Sequence, residues 1–204
     1  MPEQLIGIIG AIGSGKDTCA DYLIKNYSYE KLSFAKKVKD VASVVFGWDR
    51  DMVEGGTKAS REWREQVDPY WNITPRQALQ KIGTEMFRKY IDDNVWVKAV
   101  VKEMGTNQYV KSKIVITDCR FENEIQAIKD QGGKILYIQR GEKPEWASKP
   151  FDPNSGIHIT DWNVYQFKEK ADHCLENNSS LEDLYKNLEK IVSIPSPKTS
   201  SQSY

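Results

Sequence analysis

The chain has 204 residues, of which 39% are hydrophobic and 28% charged, and its formal net charge is zero. This length suits one domain whose core needs no disulfide or metal. With zero net charge, the chain has no overall positive potential of the kind that binds long nucleic acids. An anionic ligand would therefore need basic side chains placed locally at its site.

The cysteines and histidines predict neither a metal site nor a disulfide framework. Cys19, Cys119 and Cys174 form an odd set without a CxxC pair, and the two histidines have no second ligand nearby in the sequence. Such cysteines are typical of buried thiols in a reducing compartment. The sequence also shows neither a signal-peptide pattern at its start nor an apolar run of membrane-spanning length. We therefore expect a cytoplasmic protein without membrane contact.

The N-terminal part of the chain alternates between strand and helix patterns. Residues 4–10 form an apolar run bounded by glycine, as expected for a strand buried on both faces. A helix is predicted from about residue 16 to 26, and residues 29–35 alternate weakly as a second strand. Apolar residues between 38 and 45 then recur at helical spacing.

Two further strands, at 113–119 and 134–140, enclose a predicted helix that is closed by Gly132 and Gly133. This alternation of strand and helix predicts an α/β protein: a parallel sheet with helices on both faces. Ligands of such sheets bind at the carboxyl ends of the strands.

The last part of the chain carries weaker signals. Residues 171–177 are predicted as a short strand, and Ser179 with Glu182 forms a capping box before a last amphipathic helix. Residues 193–204 have no apolar period, and we expect a disordered tail there.

A glycine-rich turn, "GAIGSGK", follows the first strand and precedes the first helix. It satisfies the G-x-x-x-x-G-K part of the Walker A pattern, in which backbone N–H groups surround phosphate oxygens and the lysine reaches the outer phosphates. Gly10, Gly13 and Gly15 let these N–H groups turn inward, and Lys16 is the lysine that reaches the phosphates.

The residue after the lysine departs from many such loops, because Asp17 stands where a Mg²⁺-ligating Ser or Thr is common. A hydroxyl comes one position later, at Thr18. This order disfavours a GTPase or motor ATPase and favours a small-molecule kinase whose Mg²⁺ keeps more of its waters.

In "KIVITDCRFENE", Asp118 and Arg120 lie just beyond an apolar run, at the carboxyl end of a predicted strand. Asp118 could orient a hydrated Mg²⁺ through water, and Arg120 offers a bidentate fork for an acceptor phosphate. A simple ion pair at the end of a strand is the alternative.

Two segments interrupt the alternation of strands and helices, at about 48–96 and 141–162, where substrate contacts and lids usually lie. Within the first, Thr74 is a predicted N-cap, Pro75 takes the first helical position and Gln77 completes a capping box. The stripe predicted to face the core is Leu79, Ile82, Met86, Tyr90 and Ile91. The adjoining face carries groups that suit a nucleotide, unless it is simply solvated: Arg76, Gln80, Gly83, Thr84 and Phe87.

An ordered set of motifs resembles the phage-type deoxynucleoside monophosphate kinases of the P-loop kinase superfamily, from about residue 4 to 192. These motifs are "GSGKDT", "FAKKVKD", "TPRQALQKIGTEMFR", "NVWVKA", "TDCRF", "ILYIQRG" and "NNSSLEDLY". The resemblance implies a three-layer P-loop kinase fold with a parallel five-stranded sheet. It also implies a single domain over 1–192, with a nucleoside-monophosphate-binding insert at about 48–96 and a lid at about 141–162.

The resemblance assigns roles to individual residues, beginning with an ATP site made of Gly13, Ser14, Gly15, Lys16, Asp17 and Thr18. Lys16 would be the principal catalytic group, Arg120 the arginine for the acceptor phosphate, and Arg140 would approach the transferring phosphoryl group or the ATP base. The lid offers Lys143 and Lys149 but no arginine. The deoxynucleotide site would draw on Lys39, Arg61, Arg76, Gly83, Thr84 and Trp96, beside the Gln80 amide noted above.

The predicted reaction is transfer of the γ-phosphoryl group of ATP to a deoxynucleoside monophosphate (dNMP), with Mg²⁺ as cofactor. We expect no nucleic-acid tract as partner, and exposed aromatic residues in 48–71 are consistent with a homodimer. The alternatives are another small-molecule P-loop kinase, acting on dephospho-coenzyme A or phosphomevalonate, and a regulator that binds ATP without catalysis. Asp118 and Arg120 disfavour the regulator, and the face with Gln80 and Thr84 favours a nucleobase.

Overall fold

The computed structural model describes residues 4–106 and 108–192. They form two compact units. We call residues 4–32 and 108–192 the sheet unit, and residues 33–106 the helical unit. The tail predicted for 193–204 lies outside the described residues. Every helix in the described part of the chain is too short or too polar to cross a membrane.

The sheet has five parallel strands, which confirms the predicted parallel five-stranded sheet, and their order is β2-β3-β1-β4-β5. The strands are β1 (Leu5–Ile9), β2 (Tyr29–Leu32), β3 (Lys113–Ile116), β4 (Lys134–Gln139) and β5 (His173–Glu176). β1 lies at the centre, and all five of its residues are buried. Gly7 is required there, because a Cβ at this position would lie 2.5 Å from Ile128 Cδ1.

The helices are distributed over both units. The α-helices are α1 (Lys16–Tyr27), α2 (Lys36–Phe46), α3 (Arg50–Glu54), α4 (Lys58–Trp63), α5 (Pro75–Gln80), α6 (Phe87–Tyr90), α7 (Val95–Met104), α8 (Glu122–Asp130), α9 (Ile159–Gln166) and α10 (Leu181–Val192). A π-helix (Lys81–Met86) and two 3₁₀ turns (Glu145–Ser148 and Lys168–Lys170) complete the set in the described residues.

The sheet unit buries apolar side chains of the central strands against helices. Leu23 of α1 and Leu184 and Leu188 of α10 pack with Ile8 and Ile138 in one cluster. α8 also packs on β1 and β4. This burial supplies the main favourable free energy of the unit.

The start of α10 differs from the prediction by one residue. The Asp183 N–H donates to the Ser180 hydroxyl at 3.1 Å, and the helix begins at Leu181. The predicted cap at Ser179 with Glu182 is therefore wrong. The sequence "SSLED" contains two overlapping pairs of a serine and an acidic residue three positions later, and the fold uses the second pair.

The helical unit has its own core around two buried tryptophans, Trp48 and Trp96, with Val38, Ala42 and Ile82 among their neighbours. The predicted start of the insert helix is confirmed. Thr74 and Gln77 form a reciprocal capping box, and Pro75 occupies the first turn.

The insert helix does not continue as one α-helix. The chain changes from α5 to the π-helix and then to α6. Leu79 and Ile82 face the core as predicted, but Met86, Tyr90 and Ile91 are 53%, 77% and 68% exposed. A π-turn inserts an extra residue into the helical repeat and rotates every later side chain about the axis, so the predicted stripe is wrong beyond Ile82.

Candidate active site

The loop between β1 and α1 is shaped by three glycines. Gly13 and Gly15 have φ values of +77° and +106°, in the left-handed region that favours glycine. At Gly10, a Cβ would lie 2.4 Å from the Ser14 hydroxyl oxygen and 2.5 Å from the Ile138 carbonyl oxygen. The loop therefore keeps this path only with glycine at these positions.

The loop leads directly into the N-terminus of α1, whose first N–H groups are natural donors to an anion. Ser14 is 2% exposed, and its hydroxyl oxygen has no hydrogen-bond partner in the described residues. A buried polar group without a partner is costly unless a ligand satisfies it. We call the loop between β1 and α1, together with the first turn of α1, the phosphate cradle. Its N–H groups and the Ser14 hydroxyl suit phosphate oxygens.

Asn177, directly after β5, supports the loop and was not predicted as a site residue. Its Nδ2 donates to the Ser14 carbonyl oxygen at 2.9 Å. The amide fits so closely that a Cβ on Gly15 would lie 2.5 Å from it. A polar residue at the carboxyl end of a predicted strand is the signal that could have identified it.

Lys16 is the first residue of α1, and its Nζ donates to the Ala11 carbonyl oxygen at 2.7 Å. Burial and the positive charge of Arg120 lower the pKa of Lys16 from 10.5 to about 8, although Asp17 and Asp161 act in the opposite direction. Two cations thus repel each other at the edge of the cradle. An anionic ligand would relieve that repulsion.

Asp17, whose side chain is 72% exposed, takes part in a polar network at the start of α1. Its carboxylate accepts hydrogen bonds from Lys31 Nζ at 2.8 Å and from the Thr117 hydroxyl at 3.3 Å. Burial alone would raise the pKa of Asp17, but the hydrogen bond and charge of Lys31 outweigh it and hold that pKa below its usual value. Asp17 therefore ties the start of α1 to β2 and to the end of β3.

A groove of about 320 Å³ runs beside the cradle. Arg140, which follows β4 and is exposed, lines it together with the predicted Thr18. The other lining residues are Gly13, Gly15, Lys16, Asp17, Asn177, Ser179, Leu181 and Leu184. The structure thus brings Arg140 to the phosphate loop.

Arg120 is anchored through its backbone. The N–H groups of Arg120 and Phe121 donate to the buried Glu124 carboxylate at 2.6 and 3.1 Å, and Asn163 Nδ2 donates to the Arg120 carbonyl at 3.0 Å. The guanidinium Nη1 is buried 3.8 Å from Asp161 Oδ1 and has no hydrogen-bond partner in the described residues. A buried charged donor in this state is suited to an incoming anion.

Asp118 lies two residues after β3 and is half-buried. Within residues 4–106 and 108–192, no group of three or more His, Cys, Asp or Glu side chains is placed to hold a metal ion. A magnesium ion at this site would take its other ligands from phosphate oxygens and water, as Mg²⁺ commonly does.

Three of the predicted acceptor residues make polar contacts with other residues of the helical unit. Lys39 pairs with Glu54, Arg76 pairs with Glu65, and Arg61 Nη1 donates to the Gly56 carbonyl oxygen at 3.2 Å. The remaining residues of the predicted face, all half-buried, are Gln80, Gly83, Thr84 and Phe87. Phe87 packs against the core cluster of the helical unit, so its predicted place on the ligand face is wrong.

Arg64 was not predicted as a site residue; its Nη1 makes only long hydrogen bonds, to the Val53 and Glu54 carbonyls at 3.5 and 3.4 Å. Its Nε is buried without a hydrogen-bond partner. Burial, and then the positive charges of Arg76 and Arg61, lower the pKa of Arg64 below its usual value. Arg64 therefore lies near two other arginines, Arg61 and Arg76, and near the carboxylates of Glu54 and Glu65, which act on its pKa in the opposite direction.

Trp96 is 4% exposed and belongs to the core cluster of the helical unit. Its ring lies beside Phe87, with centroids 5.0 Å apart, and its Nε1 donates to the Gly83 carbonyl oxygen at 2.9 Å. Trp96 thus supports the predicted acceptor face from behind, instead of presenting an open ring to a ligand.

A parallel sheet of this order, with a glycine-rich phosphate cradle between its central strand and the following helix, defines the class of P-loop kinases. A family model described as deoxynucleotide monophosphate kinase matches residues 57–188. The chain belongs to this family, which confirms the resemblance noted in the sequence.

The names of two relatives agree with this assignment. A protein of Acanthamoeba polyphaga mimivirus, named as a candidate deoxynucleotide monophosphate kinase, is 32% identical over 89% of this chain and 92% of its own length. The deoxynucleotide monophosphate kinase of Escherichia phage RB69 is 23% identical over 93% of this chain and 99% of its own length. Among solved structures, a dephospho-CoA kinase from Campylobacter jejuni is 13% identical over 93% of this chain and 95% of its own, with a TM-score of 0.48.

Proposed function

We propose that the chain transfers the γ-phosphoryl group of ATP to the 5′-phosphate of a deoxynucleoside monophosphate, giving ADP and the deoxynucleoside diphosphate. One observation carries the proposal beyond family membership. The phosphate cradle, the Lys16 ammonium and the incompletely paired Arg120 guanidinium belong to the same unit, and Arg120 is close enough to lower the pKa of Lys16. This arrangement favours phosphoryl transfer between two anionic groups.

In this proposal the sheet unit binds ATP. The N–H groups of the loop and of the first turn of α1 bind its phosphates, in the segment Gly13, Ser14, Gly15, Lys16, Asp17 and Thr18. Lys16 leaves the Ala11 carbonyl and stabilises the charge that shifts during transfer, while Arg140 orients the nucleotide from the groove. Asp17 contributes by fixing the first turn of α1.

The acceptor needs no general base, because its phosphate is already an anion at neutral pH. Arg120 holds that phosphate, and the protein otherwise acts by alignment, charge stabilisation and exclusion of water. No covalent intermediate with the enzyme is involved.

Magnesium fits the donor set of the sheet unit. The half-buried Asp118 would orient a hydrated ion through water, and the unpartnered Ser14 hydroxyl lies in the cradle that would hold the phosphates. When bound, Mg²⁺ supplies charge neutralisation on the phosphate oxygens.

The helical unit recognises the deoxynucleotide in this proposal. Its acceptor residues are Lys39, Arg61, Arg76, Gln80, Gly83 and Thr84, and we add Arg64 because its buried Nε has no other partner in the described residues. Trp96 belongs to this site as a supporting residue. Residues 141–162 would act as a lid, and Asp161, at its end, would exchange its contact with Arg120 for solvent when the acceptor binds.

The proposal also includes a cellular compartment and an oligomeric state. The chain would act in the cytoplasm on a small-molecule substrate. It would also form a homodimer, because an exposed apolar surface on the helical unit includes Val44, Val45, Val67, Tyr70 and Trp71.

The test is steady-state kinetics with ATP, Mg²⁺ and each of the four deoxynucleoside monophosphates, their ribose counterparts, dephospho-coenzyme A and phosphomevalonate. We expect ADP release that depends on a deoxynucleoside monophosphate. Turnover with dephospho-coenzyme A or phosphomevalonate alone would move the chain to another acceptor class. Binding of ATP without consumption with any acceptor would support a regulator.

A further inference from the structure

The π-helix lies in the middle of the predicted acceptor face, and the Gly83 carbonyl is its focus. In an α-helix, the Phe87 N–H would donate to the carbonyl four residues earlier, at Gly83. Here the Phe87 N–H donates instead to the Ile82 carbonyl, five residues earlier. The Gly83 oxygen therefore has room for other donors.

Two side chains take that place. Trp96 Nε1 donates to the Gly83 carbonyl oxygen at 2.9 Å, and Arg88 Nε donates to the same oxygen at 3.1 Å. A carbonyl oxygen has two lone pairs, so these two donors can saturate it. We call this pair of hydrogen bonds the Gly83 clamp.

Both donors come from the interior of the helical unit. Trp96 is 4% exposed and Arg88 6% exposed. Arg88 Nη1 donates to the Asp93 carbonyl oxygen at 2.8 Å, so the guanidinium bridges two turns of backbone. Burial of a guanidinium costs free energy of desolvation. The hydrogen bonds of Arg88 to the two carbonyl oxygens offset that cost only while both carbonyls keep their positions.

The clamp determines what lies on the surface above it. The π-turn changes the angular relation between the residues before it and those after it, since one extra residue rotates the later ones by about 100°. Gln80 precedes the turn and Thr84 lies within it. Loss of the clamp would let the segment relax toward a regular α-helix, with Thr84 displaced from its position relative to Gln80.

We propose that Arg88 and Trp96 are positioning residues for the acceptor nucleotide: by holding the Gly83 carbonyl, they keep the π-turn, which sets the position of Thr84 relative to Gln80. This rests on the proposed function of that face as the acceptor site. Neither residue touches the substrate.

The primary test is Trp96→Phe, which removes the Nε1 donor and keeps an aromatic ring in the core. We expect KM for the deoxynucleoside monophosphate to rise roughly three- to tenfold, with KM for ATP and kcat unchanged, as for loss of one hydrogen bond that acts through position. Trp48→Phe is the matched control. Trp48 belongs to the same core cluster and its Nε1 donates to Asp68 at 2.8 Å, so its loss should lower the melting temperature without changing either KM.

A third variant, Thr84→Val, separates failure of the Gly83 clamp from failure of the proposed acceptor site. If Thr84→Val raises the acceptor KM and Trp96→Phe does not, the clamp proposal is overturned and the acceptor site stands. If Thr84→Val leaves the acceptor KM unchanged, the assignment of this face is wrong, and the clamp proposal is overturned with it.

A measurement on the unaltered protein covers the case in which Trp96→Phe does not fold. Hydrogen exchange of the indole N–H groups by NMR should show Trp96 slowed further by a deoxynucleoside monophosphate and not by ATP, with the Trp48 indole as internal reference. A Trp96 indole whose exchange does not respond to the monophosphate would overturn the clamp.

Discussion

Asn177 Nδ2 donates to the Ser14 carbonyl oxygen at 2.9 Å, so the segment after β5 supports the phosphate loop that follows β1. The two residues are far apart in the sequence, and the bond fixes the turn in which the Ser14 hydroxyl is buried. The shape of the ATP site therefore depends on the last strand of the sheet as well as on the glycines.

Asn177→Ala should weaken ATP binding by loosening this turn. Loss of one hydrogen bond of about 0.5–1.5 kcal/mol predicts a two- to tenfold rise in KM for ATP, with little change in KM for the acceptor. Asn26→Ala is the control, since Asn26 Nδ2 makes a similar 2.9 Å bond to the Tyr22 carbonyl on the outside of α1. Equal KM values for ATP in the two variants would show that Asn177 does not shape the site.

Lys16→Met should remove turnover while leaving the fold intact, because it deletes the ammonium that stabilises the transferring charge and keeps a side chain of similar length. We expect kcat to fall by at least about a hundredfold, a typical effect of losing one such donor. ADP release and circular dichroism are the measurements, with Lys25→Met on the same helix as control. Near-normal turnover in Lys16→Met would remove the loop lysine from the mechanism.

The lowered pKa of Lys16 predicts a pH dependence. Lys16 is charged below a pH of about 8 and neutral above it, so kcat/KM for ATP should decline as pH rises through about 8. Stability should move in the opposite direction. The unfolded chain keeps this proton up to about 10.5, so Lys16 adds stability as pH rises from about 8 toward 10.5.

Asp17→Asn tests the electrostatic origin of that profile. The Asp17 charge raises the pKa of Lys16, so its removal should shift the decline to lower pH. Asp21→Asn, one turn further along α1, is the control and should leave the profile in place. An identical profile in all three proteins would contradict the assignment of the decline to Lys16.

Arg120→Ala should weaken use of the acceptor more than binding of ATP. A hydrogen bond to a charged group contributes about 1.5–3 kcal/mol, which corresponds to roughly a ten- to hundredfold loss of kcat/KM for the deoxynucleoside monophosphate. Arg140 lies in the groove beside the cradle, so Arg140→Ala should raise KM for ATP more than KM for the deoxynucleoside monophosphate. The role assigned to Arg120 is refuted if its variant keeps both kcat and the acceptor KM.

The sheet and the phosphate loop could be predicted from the sequence because their signals are local. β1 and the centre of β4 are continuous apolar runs, and the positive φ angles of Gly13 and Gly15 are a property of the local backbone that favours glycine. The capping box of Thr74 and Gln77 is local in the same way. At Ser179 and Ser180 local patterns overlapped, and only packing selected one of them.

The supporting contacts of the site could not be predicted, because they join distant parts of the chain. Lys31 and Thr117 reach Asp17 from two other strand ends, and nothing in their own neighbourhood marks them as partners. The π-turn was hidden for a related reason. Its Gly83 carbonyl is held by Trp96, thirteen residues away, so the helical periodicity of the segment itself gave no sign of the interruption.

The bonds from Lys31 and Thr117 to Asp17 make position 17 a meeting point of three segments of the sheet unit. Replacement of Asp17 by serine would remove the counter-ion of an ammonium on β2 and the acceptor of a hydroxyl at the end of β3. Because the Lys31 and Asp17 side chains are 40% and 72% exposed, water would solvate the freed ammonium and the cost in stability would be small. The main consequence would be electrostatic, since the loop lysine would lose a nearby negative charge that raises its pKa.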